Sequence, residues 1–225
     1  MKINLPTKIT ISRIVLVFAL LIYLFVYAIL GRFADYRSPT IGDSPIYLVN
    51  LIAFVVFVVA ASTDALDGYL ARKNNQVTDL GKFLDPVADK LLINSLVIFL
   101  VAPTVFAPYI PYETYPVMGF NVWCAIILIA RDIVVDALRF IGAAKGKVIA
   151  ANIFGKLKTV LEMVAIGVVL LNGFPFRYFD ASWPIGLHIA DILVYLCTVA
   201  SLVSGIIYVI QNKHVFIDQK EEKND

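Results

Sequence analysis

Long uninterrupted apolar runs constrain this chain more than any other feature. A helix needs roughly 20 apolar residues to cross the hydrocarbon core of a bilayer. Windows of that kind fall near residues 10–30, 46–70, 86–107, 117–140, 157–173 and 186–210. Between them lie short turn-forming breaks such as Ser38-Pro39-Thr40-Ile41-Gly42, Ala107-Pro108-Tyr109-Ile110-Pro111 and Gly173-Phe174-Pro175-Phe176. No break is long enough for a second domain, so residues 1–215 read as one membrane domain and residues 216–225 as a charged, solvated tail. The first window continues past Leu16-Val17-Phe18 to Ile29 without a small-residue cleavage site, and is expected to be a retained helix rather than a signal peptide. With 60% hydrophobic and 16% charged residues, lipid is the expected solvent for most of the chain.

Six spans place both termini on one side. All but Arg32, Arg37 and Arg177 of the 19 basic residues then fall on the side that carries the termini, and the 102–116 loop has no Lys or Arg. The positive-inside rule puts that side in the cytoplasm, so a multi-pass protein of the cell membrane is expected. Its basic rim suits anionic lipids and phosphorylated substrates. Nucleic acid is not an expected partner, because there is no basic domain with interleaved aromatic residues. Cys124 and Cys197 have no partner at metal-ligand or redox spacing and read as small buried hydrophobes.

The chemistry concentrates in Asp64-Ala-Leu-Asp67-Gly68-Tyr-Leu-Ala71-Arg72, followed after eight residues by Gly81-Lys-Phe-Leu-Asp85-Pro-Val-Ala-Asp89. Asp64 and Asp67 are three apart at the end of the second window, and Asp85 and Asp89 are four apart at the start of the third, so each pair shares a helix face. Carboxylates in apolar segments are costly and need compensation. Four of them converging repel one another, and a hard divalent cation relieves that repulsion. Oxygen-only ligands favour Mg²⁺, Mn²⁺ or Ca²⁺ over zinc, with two Mg²⁺ or Mn²⁺ ions preferred for a phosphoryl displacement. Gly68 and Gly81 lack a Cβ and leave room for a diphosphate, and Arg72 offers it a planar fork. Taken singly, Asp85 before Pro86 also reads as a helix N-cap, Gly68 as a packing residue and Arg72 as an interfacial cation.

The pattern D-x-x-D-G-x-x-A-R, eight residues, then G-x-x-x-D-x-x-x-D resembles the signature of the CDP-alcohol phosphotransferases. Every defined position is present between Asp64 and Asp89. The resemblance implies an all-α polytopic membrane enzyme with six transmembrane helices. It implies a two-metal site of Asp64, Asp67 and Asp85, with Asp89 near the metals as general base, and donor contacts from Asp64, Gly68, Ala71, Arg72 and Gly81. Asp89 would take the proton of an alcohol, whose oxygen attacks the β-phosphorus of a CDP-lipid and releases CMP. A homodimer is also implied.

Shorter elements point within the family. Asn4-Leu-Pro6-Thr7 with Thr10 and Arg13 resembles an N-terminal element that runs along the membrane surface as a short interfacial helix. Ile129-Ala130-Arg131-Asp132, Leu138-Arg139 and Gly155-Lys156-Leu157-Lys158-Thr159 resemble A-R-[DE] and G-K-x-K-T elements of the bacterial branch that converts CDP-diacylglycerol and sn-glycerol 3-phosphate to phosphatidylglycerophosphate. Independently, Arg131 and Arg139 are eight apart on one helix face, and Lys156 and Lys158 open the next helix. Four cations call for an anionic acceptor. Asp136, one turn from Asp132, breaks the apolar pattern of the fourth window and is placed to pair with Arg139.

Two alternatives follow from the same residues. One keeps the chemistry and changes the acceptor, giving phosphatidylserine, phosphatidylinositol phosphate or cardiolipin synthesis. The other is a divalent-cation transporter, which requires polar residues along a whole path; the windows continue from the carboxylates as Val/Ala/Phe and Leu/Ile/Val runs instead.

Overall fold

A computed structural model describes residues 5–34, 38–73, 79–101, 118–146, 153–184 and 186–213, with the side chains of residues 5, 6, 31–33, 64–72, 79, 80, 82 and 83 outside the description. The described residues are all-helical, without strands. The helices are α1 (Leu5–Ala34), α2 (Leu48–Lys73), α3 (Asp79–Val101), α4 (Val122–Ala144), α5 (Ile153–Leu170), α6 (Arg177–Asp180) and α7 (Ile189–Gln211). Each of the six apolar windows thus corresponds to one long helix.

Two boundaries differ from the sequence expectation. Among the described residues no separate interfacial helix precedes the first window, because α1 runs unbroken for 30 residues, about 45 Å at helical rise. Pro6 lies in its first turn, where a missing amide removes no helical bond, and nothing before Gly31 interrupts the ladder. Helix α3 starts at Asp79, so Asp85 and Pro86 lie inside it and Asp85 is not its N-cap. The charged first two turns of α3 hid this start from a search for apolar windows.

The helices carry their polarity inverted relative to a soluble bundle. Along α1 the buried positions Thr7, Thr10, Arg13, Val17, Leu20, Leu24 and Tyr27 recur every three or four residues, while Val15, Phe18, Ile22 and Phe25 are exposed. Elsewhere Trp123, Phe140 and Ile153 are exposed, whereas Lys158 and Glu162 are buried. An exterior of large apolar side chains around a partly charged interior marks a membrane protein. By length and composition α1, over Thr7–Leu30, and α7 are each apolar enough to cross a bilayer. In α3, α4 and α5 ionisable residues such as Asp85, Asp89, Arg131, Asp132, Lys158 and Glu162 shorten the uninterrupted apolar run.

The chain divides into two compact units, Met1–Phe120 with Ile166–Asp191, and Asn121–Ala165 with Ile192–Asp225. In the first, α1 packs on both α2 and α3. The buried stripes of the two partners are Val49, Ala53, Phe57 and Ala60 on α2, and Ala88, Leu92, Leu96 and Leu100 on α3. Within this unit Asn172 lies at φ 53° and is fully buried. Its Oδ1 accepts from the Met118 amide at 2.8 Å and its Nδ2 donates to the Pro45 carbonyl at 3.0 Å. Asparagine tolerates the left-handed backbone better than other non-glycine residues, so one side chain both ends α5 and joins two distant loops. Nearby, Asp180 Oδ2 accepts from the Ile189 amide at 2.7 Å and caps the start of α7.

In the second unit, α4 is capped by Asn121, whose side chain accepts from the Trp123 amide at 3.0 Å, and is followed by Gly146 at φ 67°. Val135 and Leu138 of α4 and Tyr208 of α7 form a buried apolar cluster.

Removing the Asn172 side chain leaves two buried backbone groups without their partners. Asn172→Ala is expected to lower stability by about 2–4 kcal/mol, from two unsatisfied groups and the strained φ, as read by thermal unfolding in detergent. Asn172→Gly, which relieves the φ but still lacks the bonds, should fall between Asn172→Ala and wild type.

Candidate active site

In the first unit, Asp85 and Asp89 project from one face of α3, one turn apart. Asp85 is fixed from α1: the Thr10 hydroxyl donates to its Oδ1 at 2.8 Å, and Arg13 Nη2 lies 3.7 Å from the same oxygen. Thr10 and Arg13 are one turn apart on the buried stripe of α1 and present both groups together. The Arg13 side chain is 1% exposed and that of Asp85 43% exposed, so a buried cation holds a carboxylate that stays accessible. This gives the N-terminal element a physical role: it fixes the aim of one carboxylate of the motif. Thr7 is likewise buried on this stripe.

Asp89 is half-buried and engaged in interactions of its own, as is Gly81. Asp64, Asp67, Gly68, Ala71 and Arg72 lie in the last turns of α2, and their side chains, like that of Pro6, fall outside the described residues. Among the described residues no three His, Cys, Asp or Glu side chains form a metal-holding group. Asp85 nevertheless has the chemistry of a hard-cation ligand, a half-buried carboxylate whose contacts among the described residues both fall on Oδ1.

The second unit holds a buried ionic network. Lys158 Nζ contacts Asp132 Oδ1 at 2.9 Å, Asp132 Oδ2 at 3.0 Å and Glu162 Oε2 at 2.7 Å. An ammonium has three donors, and these three carboxylate contacts satisfy them. With the Lys158 side chain 2% exposed, this lysine is directed inward rather than towards a ligand. Arg131 shares the network, with Nη1 3.1 Å from Asp132 Oδ1 and Nη2 donating to Ser204 Oγ at 2.9 Å. Two cations and two carboxylates leave the cluster electrically neutral, as a low-dielectric interior requires. Gly155 of the G-K-x-K-T element lies against the same guanidinium, since a Cβ there would be 3.5 Å from Nη2.

About two turns further along α4, Arg139 Nε donates to the Tyr208 hydroxyl at 3.0 Å, and its guanidinium lies 5.6 Å from that ring centroid. Asp136 is half-buried and has an interaction of its own. Lys156, in contrast to Lys158, is exposed. The structure thus brings Arg131 and Lys158 together and leaves Arg139 and Lys156 on more accessible surface.

Sequence reasoning overlooked Glu162, Ser204 and Tyr208. Glu162 left a usable signal, a lone carboxylate in the apolar run Thr159-Val-Leu-Glu162-Met-Val, where an ionisable group demands a partner. The two residues of α7 left none, because a serine or tyrosine in an apolar helix is unremarked without its neighbour.

Large apolar side chains outside and ionisable side chains within define a helical membrane protein. The chain belongs to the CDP-alcohol phosphatidyltransferase family, whose model matches residues 3–203. Among curated proteins it is 37% identical to the CDP-diacylglycerol–glycerol-3-phosphate 3-phosphatidyltransferase of Bacillus subtilis strain 168, over 93% of this chain and 95% of that protein. It is also 37% identical to the protein of the same name from Mycoplasma pneumoniae, over 91% and 86% of the two chains. The Escherichia coli K12 protein of that name is 35% identical over 76% and 78%.

Taking Glu162 out of the network strands part of the Lys158 charge. Glu162→Leu is expected to destabilise the protein by about 3 kcal/mol, whereas the double variant Glu162→Leu/Lys158→Met should lose less. Comparing the unfolding of both in detergent checks this; a double variant less stable than the single would contradict it.

Proposed function

We propose that this enzyme transfers the phosphatidyl group of CDP-diacylglycerol to sn-glycerol 3-phosphate, forming phosphatidylglycerophosphate and CMP. The observation that carries the acceptor is the pair of guanidinium groups of Arg131 and Arg139, eight residues apart on α4 and each held by α7. A dianionic phosphate is the natural ligand of such forks. Lys156, exposed at the start of α5, adds a third cation. The names and near full-length coverage of the relatives support the same acceptor.

Asp89 serves as general base. It removes the proton of an acceptor hydroxyl, the freed oxygen forms a bond to the β-phosphorus of the donor, and the bond from that phosphorus to the CMP oxygen breaks with its electron pair. Thr10 and Arg13 hold Asp85 in place, and Asp85 with Asp64, Asp67 and Asp89 would hold two Mg²⁺ or Mn²⁺ ions, in keeping with a family that is generally dependent on divalent metals. Bound there, such ions neutralise the pyrophosphate and the departing nucleotide. Gly68, Ala71, Arg72 and Gly81 complete the donor site.

The six long helices are read as six crossings of the cell membrane, with both termini and the site on the cytoplasmic side, supported by the one-sided distribution of basic residues. Surrounding anionic lipids and a homodimeric assembly complete the picture, resting on the basic face and the family resemblance.

Purified enzyme with CDP-diacylglycerol and a panel of alcohols is expected to release CMP with glycerol 3-phosphate; release with serine but not with glycerol 3-phosphate would refute the acceptor. Chelation should abolish turnover, and Mg²⁺ or Mn²⁺ should restore it. Asp89→Asn is expected to lower kcat by at least about a hundredfold while donor binding survives. A near wild-type rate in that variant would remove Asp89 from the base role.

A further inference from the structure

Helix α7 carries no element of the family motif, yet its buried side meets both arginines of α4. Ser204 Oγ donates its hydrogen to the Ser201 carbonyl at 3.0 Å, so the oxygen faces Arg131 Nη2 purely as an acceptor, at 2.9 Å. The next residue is glycine for a steric reason. A Cβ on Gly205 would lie 2.8 Å from Arg131 Cγ, closer than real contacts allow, and Cγ belongs to the stem of the side chain rather than to its mobile end. One turn on, buried Tyr208 offers its hydroxyl to Arg139 Nε and its ring to the guanidinium. Three positions within five residues of α7 therefore hold the two side chains on which the acceptor assignment depends.

We propose that α7 forms the seat of the acceptor site: Ser204 and Gly205 are positioning residues that fix Arg131, and Tyr208 fixes Arg139. This rests on the glycerol 3-phosphate function stated above and adds a specificity role for a helix outside the motif. An arginine side chain that is free to rotate loses entropy when it clamps a phosphate, and one already immobilised loses less. Asp132 and Ser204 anchor Nη1 and Nη2, and Gly205 leaves room for the stem. Arg131 Nε is buried with no hydrogen-bond partner among the described residues.

The test separates seating from general packing by measuring KM for both substrates through CMP release. Ser204→Ala and Gly205→Ala are each expected to raise KM for glycerol 3-phosphate about tenfold, the scale of one charge-assisted hydrogen bond, with KM for CDP-diacylglycerol unchanged. Tyr208→Phe, which keeps the ring, should raise it about threefold. Ser204→Thr restores an acceptor oxygen and should remain near wild type, whereas Ser204→Val, of the same shape without the oxygen, should behave like Ser204→Ala. This pair keeps the test decisive if Gly205→Ala does not fold. Equal loss in the Thr and Val variants, parallel increases for both substrates, or no increase in Ser204→Val would overturn the seat. The acceptor reading itself fails differently: Arg131→Ala would then leave KM for glycerol 3-phosphate unmoved, or wild-type enzyme would release no CMP with that acceptor.

Discussion

An ammonium group enclosed by two carboxylates inside an apolar shell, Lys158 between Asp132 and Glu162, states the constraint under which the rest of this protein is built. Lipid offers no water to solvate a charge, so each ionisable group that chemistry requires must bring its counter-charge or hydrogen-bond partner within the bundle. The solution is repeated in miniature in the first unit, where Arg13 and Thr10 meet Asp85. In both places the partners come from different helices, α1 with α3 and α4 with α5. Electrostatic pairing therefore also fixes helix register, a task that apolar side chains perform poorly when lipid tails are equally good neighbours.

The same constraint sorts the cations into two kinds. Lys158 has all three donors answered by carboxylates and contributes to cohesion. Arg139 is anchored through a hydroxyl, and Arg131 through a hydroxyl beside its Asp132 ion pair; a neutral anchor adds no further counter-charge. Five fixed donors allow an arginine to be held and to bind at once, which Lys158, with its three donors already used, cannot do. Asp85 shows the complementary arrangement, in which a buried cation secures one oxygen of a carboxylate that stays accessible.

Much of this was legible in the sequence. Six apolar windows became six long helices because the length of an apolar run is a local property. The D-x-x-D-G-x-x-A-R stretch identified the family because its spacing is local too. The start of α3 was missed for the same reason: Asp79 to Asp85 is polar, so a hydropathy window begins at Pro86, and the proline then resembles a first helical residue. The partners were not legible. Thr10 and Asp85 are 75 residues apart, and Arg131 and Ser204 are 73 apart, distances over which periodicity carries no information. The motif spacing of Lys158 says only which helix end it occupies, while Glu162, which draws it inward, stands just outside the motif.

Helix α7 shows why serine, threonine and tyrosine, rather than further carboxylates, supply the neutral half of these contacts. A further carboxylate beside Arg131 would make the neutral cluster net negative and repel an anion; it would also carry a desolvation penalty of its own in one of the most apolar helices of the chain. A hydroxyl avoids both. Its hydrogen is satisfied within its own helix, as Thr198 Oγ1 shows by donating to the Val194 carbonyl at 2.8 Å and Ser204 Oγ by donating to that of Ser201. Its oxygen still accepts from a neighbour. Helix α7 can thus remain apolar enough to cross a bilayer while presenting an acceptor where α4 needs one, and the mild polarity that hid this face from sequence inspection is the property that lets it hold an arginine without neutralising it.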